Sequence, residues 1–239
     1  MYIVRKQKLF FSATSTIYLH VKQTEGTETA NVSFDLGAAT MNYGNNAPYF
    51  QWGRKDPMSP STGLANVNKA IYGTYSAVSD MSTTDISVTI RTPHYFNTST
   101  GNTSLELWCV GNTANTVNVD PVIKSIYDPS PVGFHVACSG AFQGWEESGR
   151  SYWQSTTGKQ GRFFFQLGSG IGNLVFFPSS LGLKGGATAV GDVGAGGFYW
   201  LAGSASTDRG YYMDFRTSYV YPSHNNYRYY GFTICPVAE

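Results

Sequence analysis

Four histidines (His20, His94, His135, His224) and three cysteines (Cys109, Cys138, Cys235) are the side chains that could ligate zinc or act as base or nucleophile. Their spacing suits neither role. The histidines are scattered, with no HExxH and no i,i+4 pair, and the cysteines lack any metal-type spacing. No GxSxG elbow is present. Glu146 and Glu147 are adjacent, so their carboxylates diverge and read as a solvated face. Asp56 and Asp128 each precede a proline, where a carboxylate starts a turn by accepting backbone amides. No dense aspartate cluster or EF-hand loop argues for calcium. The Gly-rich stretch 185–197 lacks the Gly-Lys-Ser/Thr ending of a phosphate loop and reads as a flexible connection. The sequence therefore predicts no enzyme, no cofactor and no metal.

Composition moves the chemistry elsewhere. Charged residues make up 13% of the 239 residues, about half the usual share, and sixteen basic against fifteen acidic residues leave a net charge of +1. Phosphate binding needs a clustered basic surface, so nucleic acid is excluded as a partner. No apolar run approaches the roughly 20 residues of a membrane helix, and Leu9-Phe-Phe11 is too short for a signal peptide's apolar region. Membrane insertion is not expected. An odd cysteine count leaves a thiol unpaired, and all three read as small buried hydrophobes.

Eight of the 17 tyrosines fall in one segment: Tyr199, Tyr211, Tyr212, Tyr219, Tyr221, Tyr227, Tyr229 and Tyr230. Ser204, Ser206, Asp208, Arg209, Arg216, Ser218, His224, Asn225 and Asn226 lie among them. Tyrosine supplies large amphipathic contact area at low entropic cost, and Ser and Asn supply adaptable hydrogen bonds. Ser223-His-Asn-Asn-Tyr-Arg-Tyr-Tyr230 is too polar for core and too aromatic for an idle loop. These seventeen residues are the candidate ligand-binding set. Exposure and contiguity are expected above all for Tyr211, Tyr219, Tyr221, His224, Asn225, Asn226, Tyr227 and Tyr229. Strand alternation turns some of Tyr199, Tyr212 and Tyr230 inward.

The elements that must carry this set are short and β-rich. Thr16–Lys22 and Asp85–Arg91 alternate as half-buried strands. Gly161–Leu167 and Leu174–Phe177 read as buried strands, and Tyr211–Phe215 and Gly231–Cys235 as strands of a C-terminal sheet. Helix candidates are brief, at 63–72 and a turn near 141–147. The runs 97–104 and 185–197 read as surface loops.

Asp35-Leu-Gly-Ala38, Tyr49-Phe-Gln-Trp-Gly-Arg-Lys-Asp-Pro57, Lys124-Ser-Ile-Tyr-Asp-Pro-Ser-Pro-Val-Gly-Phe134, Gly197-Phe-Tyr-Trp-Leu-Ala202 and Arg228 through Val237 together resemble the Fibrobacter-type major paralogous domain. That domain occurs at the C-termini of Bacteroidales fimbrillin-like surface proteins. Cys235 stands where its ending usually carries arginine. The resemblance implies an α+β, C-type-lectin-like fold over residues 31–239, with long irregular loops and one or two short helices. Residues 1–30 are then an N-terminal strand segment, either the remnant of a preceding domain or an assembly contact. It also implies a non-catalytic adhesin or receptor-binding protein, displayed on a cell surface, a pilus tip or a phage virion. Its partner would be a protein or glycan receptor, with pilus or phage tail subunits as neighbours and oligomers allowed. Related lectin-like domains are variable proteins of diversity-generating retroelements, and 199–230 lies where such variation would sit. A structural pilin or tail subunit is the alternative, and a formylglycine-generating-enzyme-like enzyme a weaker one. On this reading Trp52, Trp200, Tyr127 and Phe232 share one core.

Overall fold

The structure, a computed structural model, describes residues 16–22, 29–35, 49–57, 76–78, 95–97, 104–156, 159–165, 174–179, 182–184, 189–191 and 195–239. Their strands, in chain order, are β1 (Thr16–Lys22), β2 (Thr29–Asp35), β3 (Phe50–Gln51), β4 (Ser76–Val78), β5 (Tyr95–Asn97) and β6 (Cys109–Val110). Next come β7 (Ile123–Lys124), β8 (Phe134–Val136), β9 (Ser151–Thr156), β10 (Lys159–Phe165), β11 (Leu174–Pro178) and β12 (Gly182–Lys184). The last are β13 (Ala189–Gly191), β14 (Gly196–Ser204), β15 (Arg209–Arg216), β16 (Val220–Tyr227), β17 (Gly231–Ile234) and β18 (Pro236–Ala238).

The described residues are all-β, which corrects the α+β expectation and with it the lectin-like helix content. At 141–147 the chain makes successive i→i+3 turns instead of a helix, with Ala141, Gln143, Trp145 and Glu147 N–H groups donating to the carbonyls three residues back. Gly144, at φ +89°, interrupts any right-handed propagation. The 63–72 candidate and the 85–91 strand lie outside the described residues. The Gly-rich run 185–197 is not all loop, because β13 and the start of β14 fall inside it.

One seven-stranded sheet organises the C-terminal half, in the order β13-β12-β17-β14-β15-β16, with β3 added on β17. Every residue of β14 is buried. A strand buried on both faces needs apolar groups at odd and even positions alike, and Gly196-Gly-Phe-Tyr-Trp-Leu-Ala-Gly-Ser204 supplies them. Phe198, Trp200 and Ala202 enter one core with Tyr212, Phe232, Trp52, Trp108 and Phe50. Tyr199 and Leu201 enter a second core with Tyr211, Met213, Phe215, Phe164 and Phe177. The sheet β11-β10-β9 closes that second side, with Phe164 fully buried.

Trp52, Trp200 and Phe232 share the first core as expected, and Tyr127 packs against it half-buried. Indole N–H groups tie the layers together. Trp200 Nε1 donates to the Phe50 carbonyl at 2.8 Å, Trp52 Nε1 to that of Leu201 at 2.9 Å and Trp108 Nε1 to that of Arg54 at 3.1 Å. The Asp128 turn is as expected. Its buried carboxylate accepts the amides of Ser130 at 2.7 Å and Val136 at 2.8 Å. Asp56 makes no corresponding bond among the described residues.

Candidate recognition face

The tyrosine-rich segment is the β15–β16 hairpin with its flanks, and β16 is the last strand of the sheet. Alternation assigns each side chain to a face. In β15, Tyr211, Met213 and Phe215 point into the second core, while Tyr212 points into the first. In β16, His224 lies opposite Tyr212 and Tyr221 opposite Asp214. Three steps along β16 therefore match two along β15, so a bulge inserts one extra residue at Pro222-Ser223. Without it, Tyr221 and His224 would face opposite ways. With it, they stand side by side with ring centroids 5.4 Å apart. Proline fits this place because a bulge on an edge strand requires no ladder donor from it.

The first cluster runs outward from the core. Tyr212 is 3% exposed and sits edge-on to Trp200. Its hydroxyl lies 2.9 Å from His224 Nδ1 and 3.5 Å from Asp214 Oδ2. Tyr219 packs on Tyr221 at 4.6 Å, and Tyr221 is 50% exposed. Beneath them lies the buried Asp214 carboxylate, which faces Arg216 Nε at 3.9 Å and whose Oδ1 accepts no hydrogen bond. Arg216 in turn covers the Phe198 ring. Burial first and the Asp214 charge second raise the Tyr212 phenol above its ordinary value, so it stays a neutral hydroxyl.

The second cluster belongs to the other face and the far end of the hairpin. Tyr227 stacks on Tyr229 at 5.2 Å with planes 13° apart, and the Arg209 guanidinium lies over Tyr227 at 4.2 Å. Arg209 Nη1 donates to Asn225 Oδ1 at 3.2 Å. The Asn226 side-chain carbonyl accepts the Tyr227 N–H, and the Tyr227 carbonyl accepts the Tyr230 N–H. These two bonds cap the strand end, so side chains and not backbone are presented there.

Several expected members are placed differently. Tyr211 is buried against the second core, which corrects its expected exposure, because alternation puts it beside Met213 and Phe215. Tyr199 is buried on the same side and donates its hydroxyl to the Pro178 carbonyl. Ser204 is buried and accepts from Arg228, while Ser206 donates to Asp208 and to nothing outward. Tyr230 packs half-buried against the first core. Ser218 is exposed, and Tyr219, Tyr221, His224, Asn225, Asn226, Tyr227 and Tyr229 are exposed or half-buried. They form two aromatic clusters instead of one continuous patch. Asp214 was missed. Its signal was an acid between Met213 and Phe215, at a core-facing position of an otherwise apolar strand.

All three thiols are free. Burial, helped by Asp128, pushes Cys109 up to about 12, and burial pushes Cys235 up to about 11 and Cys138 upward. These groups prefer to remain protonated in the folded chain. Unfolded thiols titrate near 9.0, so the stabilisation is complete below that pH and is lost as pH climbs to 11–12. Arg228, lowered by burial to about 10, works the other way above that pH and offsets part of the loss. The urea midpoint is expected to stay level up to about pH 8.5 and to fall steadily through the alkaline range. A level midpoint to pH 11 would contradict the buried, protonated thiols.

Among the described residues no group of three or more His, Cys, Asp or Glu is placed to hold a metal ion. Comparison with known proteins finds no matching family, no matching curated protein and no matching solved structure.

Proposed function

We propose that the chain is a non-catalytic recognition module, an adhesin or receptor-binding protein, that takes its ligand along strand β16. The observation that carries this reading is the pair of solvent-reaching aromatic clusters, Tyr219–Tyr221–His224 and Tyr227–Tyr229, on the edge of a sheet covered on both faces. A rigid platform lets such rings make contact without ordering cost, and interface energy concentrates in a few Tyr, Trp and Arg anchors. Display on a cell surface, a pilus tip or a phage tail is the setting in which a charge-poor, tyrosine-edged module works.

The test uses the full chain and the variant Tyr219→Ser/Tyr221→Ser/Tyr227→Ser. Wild-type protein is screened on a glycan array and against a displayed random-peptide library. Binders captured by the wild type are expected to lose at least about tenfold in affinity for the variant, since each anchor is worth roughly 2 kcal/mol. The melting temperature should move by no more than about 3–6 °C, as three exposed or half-buried positions contribute roughly 0.5 kcal/mol each. Unchanged affinity, or unfolding of the variant, would remove the reading.

A structural subunit is the second reading, favoured by a different surface. Val110 and Ile123 are register partners in the β6–β7 hairpin and are 52% and 70% exposed, with Ile126 and Val132 exposed nearby. Sedimentation of the chain as an oligomer that Ile123→Asp/Ile126→Asp dissociates would support it.

A further inference from the structure

We propose that Arg209 is an anion-reading anchor of this face and that the group it takes is a carboxylate, an Asp or Glu side chain of a protein partner. The inference rests on the recognition reading above and names the ligand chemistry for its second cluster.

Arg209 begins β15 directly opposite Tyr227 on β16. Its guanidinium is fixed in two ways. The plane lies over the Tyr227 ring at 4.2 Å, and Nη1 donates to Asn225 Oδ1 at 3.2 Å. Nε and Nη2 have no partner among the described residues, and the side chain is half-buried, so this edge reaches solvent. An Nε/Nη2 edge matches a carboxylate with two parallel hydrogen bonds. Stacking and the Asn225 bond have already removed the rotamer freedom that a free arginine would lose on binding.

The neighbouring arginines are committed elsewhere. Arg228 donates to the carbonyls of Ser104 and Ser206 and to the Ser204 hydroxyl, and Arg216 lies against Asp214. Asp208, next in the chain, accepts from Ser206. The cluster thus offers one fixed positive charge, which suits a monoanion better than a phosphate dianion. The ring geometry favours a protein over a sugar. Arg209 at 4.2 Å, Tyr229 at 5.2 Å and Tyr230 edge-on at 6.2 Å already crowd the Tyr227 ring, which leaves less of it for a pyranose to stack on.

The experiment follows the arginine Nε–Hε signals and the Tyr227 and Tyr229 ring signals of the full chain by NMR. The probes are N-acetylglutamate N-methylamide, methyl glucuronide, inorganic phosphate and sodium chloride. The glutamate derivative is expected to shift the Arg209 signal saturably, while chloride does not. Read on the Tyr227 and Tyr229 ring signals, Arg209→Lys should weaken the response about tenfold, since a lysine cannot form the paired bonds. Asn225→Ala, which frees the guanidinium plane, should weaken it about threefold. Saturation at lower concentration by the glucuronide would replace the protein with an acidic glycan and overturn the proposal, and phosphate binding more tightly would overturn the carboxylate. An unshifted Arg209 signal in the wild type, or an undiminished Tyr227 and Tyr229 ring response in Arg209→Lys, would also overturn it. Captured binders that survive Arg209→Lys but are lost with Tyr219→Ser/Tyr221→Ser would remove this inference alone and leave the recognition reading standing.

Discussion

Trp200→Ala is expected to lower the unfolding free energy by about 3–5 kcal/mol. For a chain of this length that shifts the melting temperature by roughly 10 °C or more. The side chain is 0% exposed at the centre of the first core, with its ring 4.4 Å from Phe232 and edge-on to Tyr212 at 5.8 Å. Truncation opens a cavity between rigid rings that cannot collapse into it. It also removes the 2.8 Å bond from Nε1 to the Phe50 carbonyl, which ties β3 to a side chain of β14. An acceptor left unpaired in that place adds about 1–3 kcal/mol. Trp200→Phe keeps much of the volume and loses the bond, so it should fall between the wild type and Trp200→Ala. Urea denaturation of the three proteins checks the order. A Trp200→Ala loss below about 1 kcal/mol would mean that this core is not the one holding the sheet.

The strands were legible where alternation or an apolar run is local. Thr16–Lys22 has the bounds its alternation predicts, and the Phe163-Phe-Phe165 and Val175-Phe-Phe177 runs lie in paired strands. The motif tryptophans were legible because an indole inside a short apolar segment has few places to go but a core. The α+β expectation came from the resemblance and not from any periodicity in residues 141–147, and Gly144 and Gly149, both at positive φ, mark that segment as turns. The candidate face stood out in composition and not in geometry. Composition cannot tell Tyr211 from Tyr221, since the difference is set by which side of β15 carries Met213 and Phe215. The Pro222-Ser223 bulge shifts the parity of β16 by one, so counting along the sequence from one end assigns the other end to the wrong face. Asp214 was hidden for a related reason: Tyr212 and Arg216 neighbour it along β15, but His224 reaches it only once the hairpin is paired.

Arg228 is the structural arginine of this hairpin, and its replacement is the second large effect expected. It lies between Tyr227 and Tyr229 in the turn after β16, yet it is buried. The guanidinium stacks over Trp52 at 4.2 Å. It donates to the Ser104 carbonyl at 2.7 Å, the Ser206 carbonyl at 2.6 Å and the Ser204 hydroxyl at 3.0 Å. Its backbone N–H donates to Asp208 and its carbonyl accepts from Trp52, so one residue joins four separate segments. Burial lowers its pKa to about 10, the sign that desolvation is only partly compensated. Arg228→Ala takes this donor from the Ser104 and Ser206 carbonyls and the buried Ser204 hydroxyl and strips one face of Trp52, at a cost of about 3–5 kcal/mol. Arg228→Lys restores charge without the planar fork and should recover less than half of that. Arg209→Lys, at the position opposite Tyr227 across the hairpin, should change stability by only about 0.5 kcal/mol. Urea midpoints of the three variants therefore divide the two arginines. If Arg228→Ala and Arg209→Lys shift the midpoint equally, the turn that aims Tyr227 and Tyr229 is not held by Arg228.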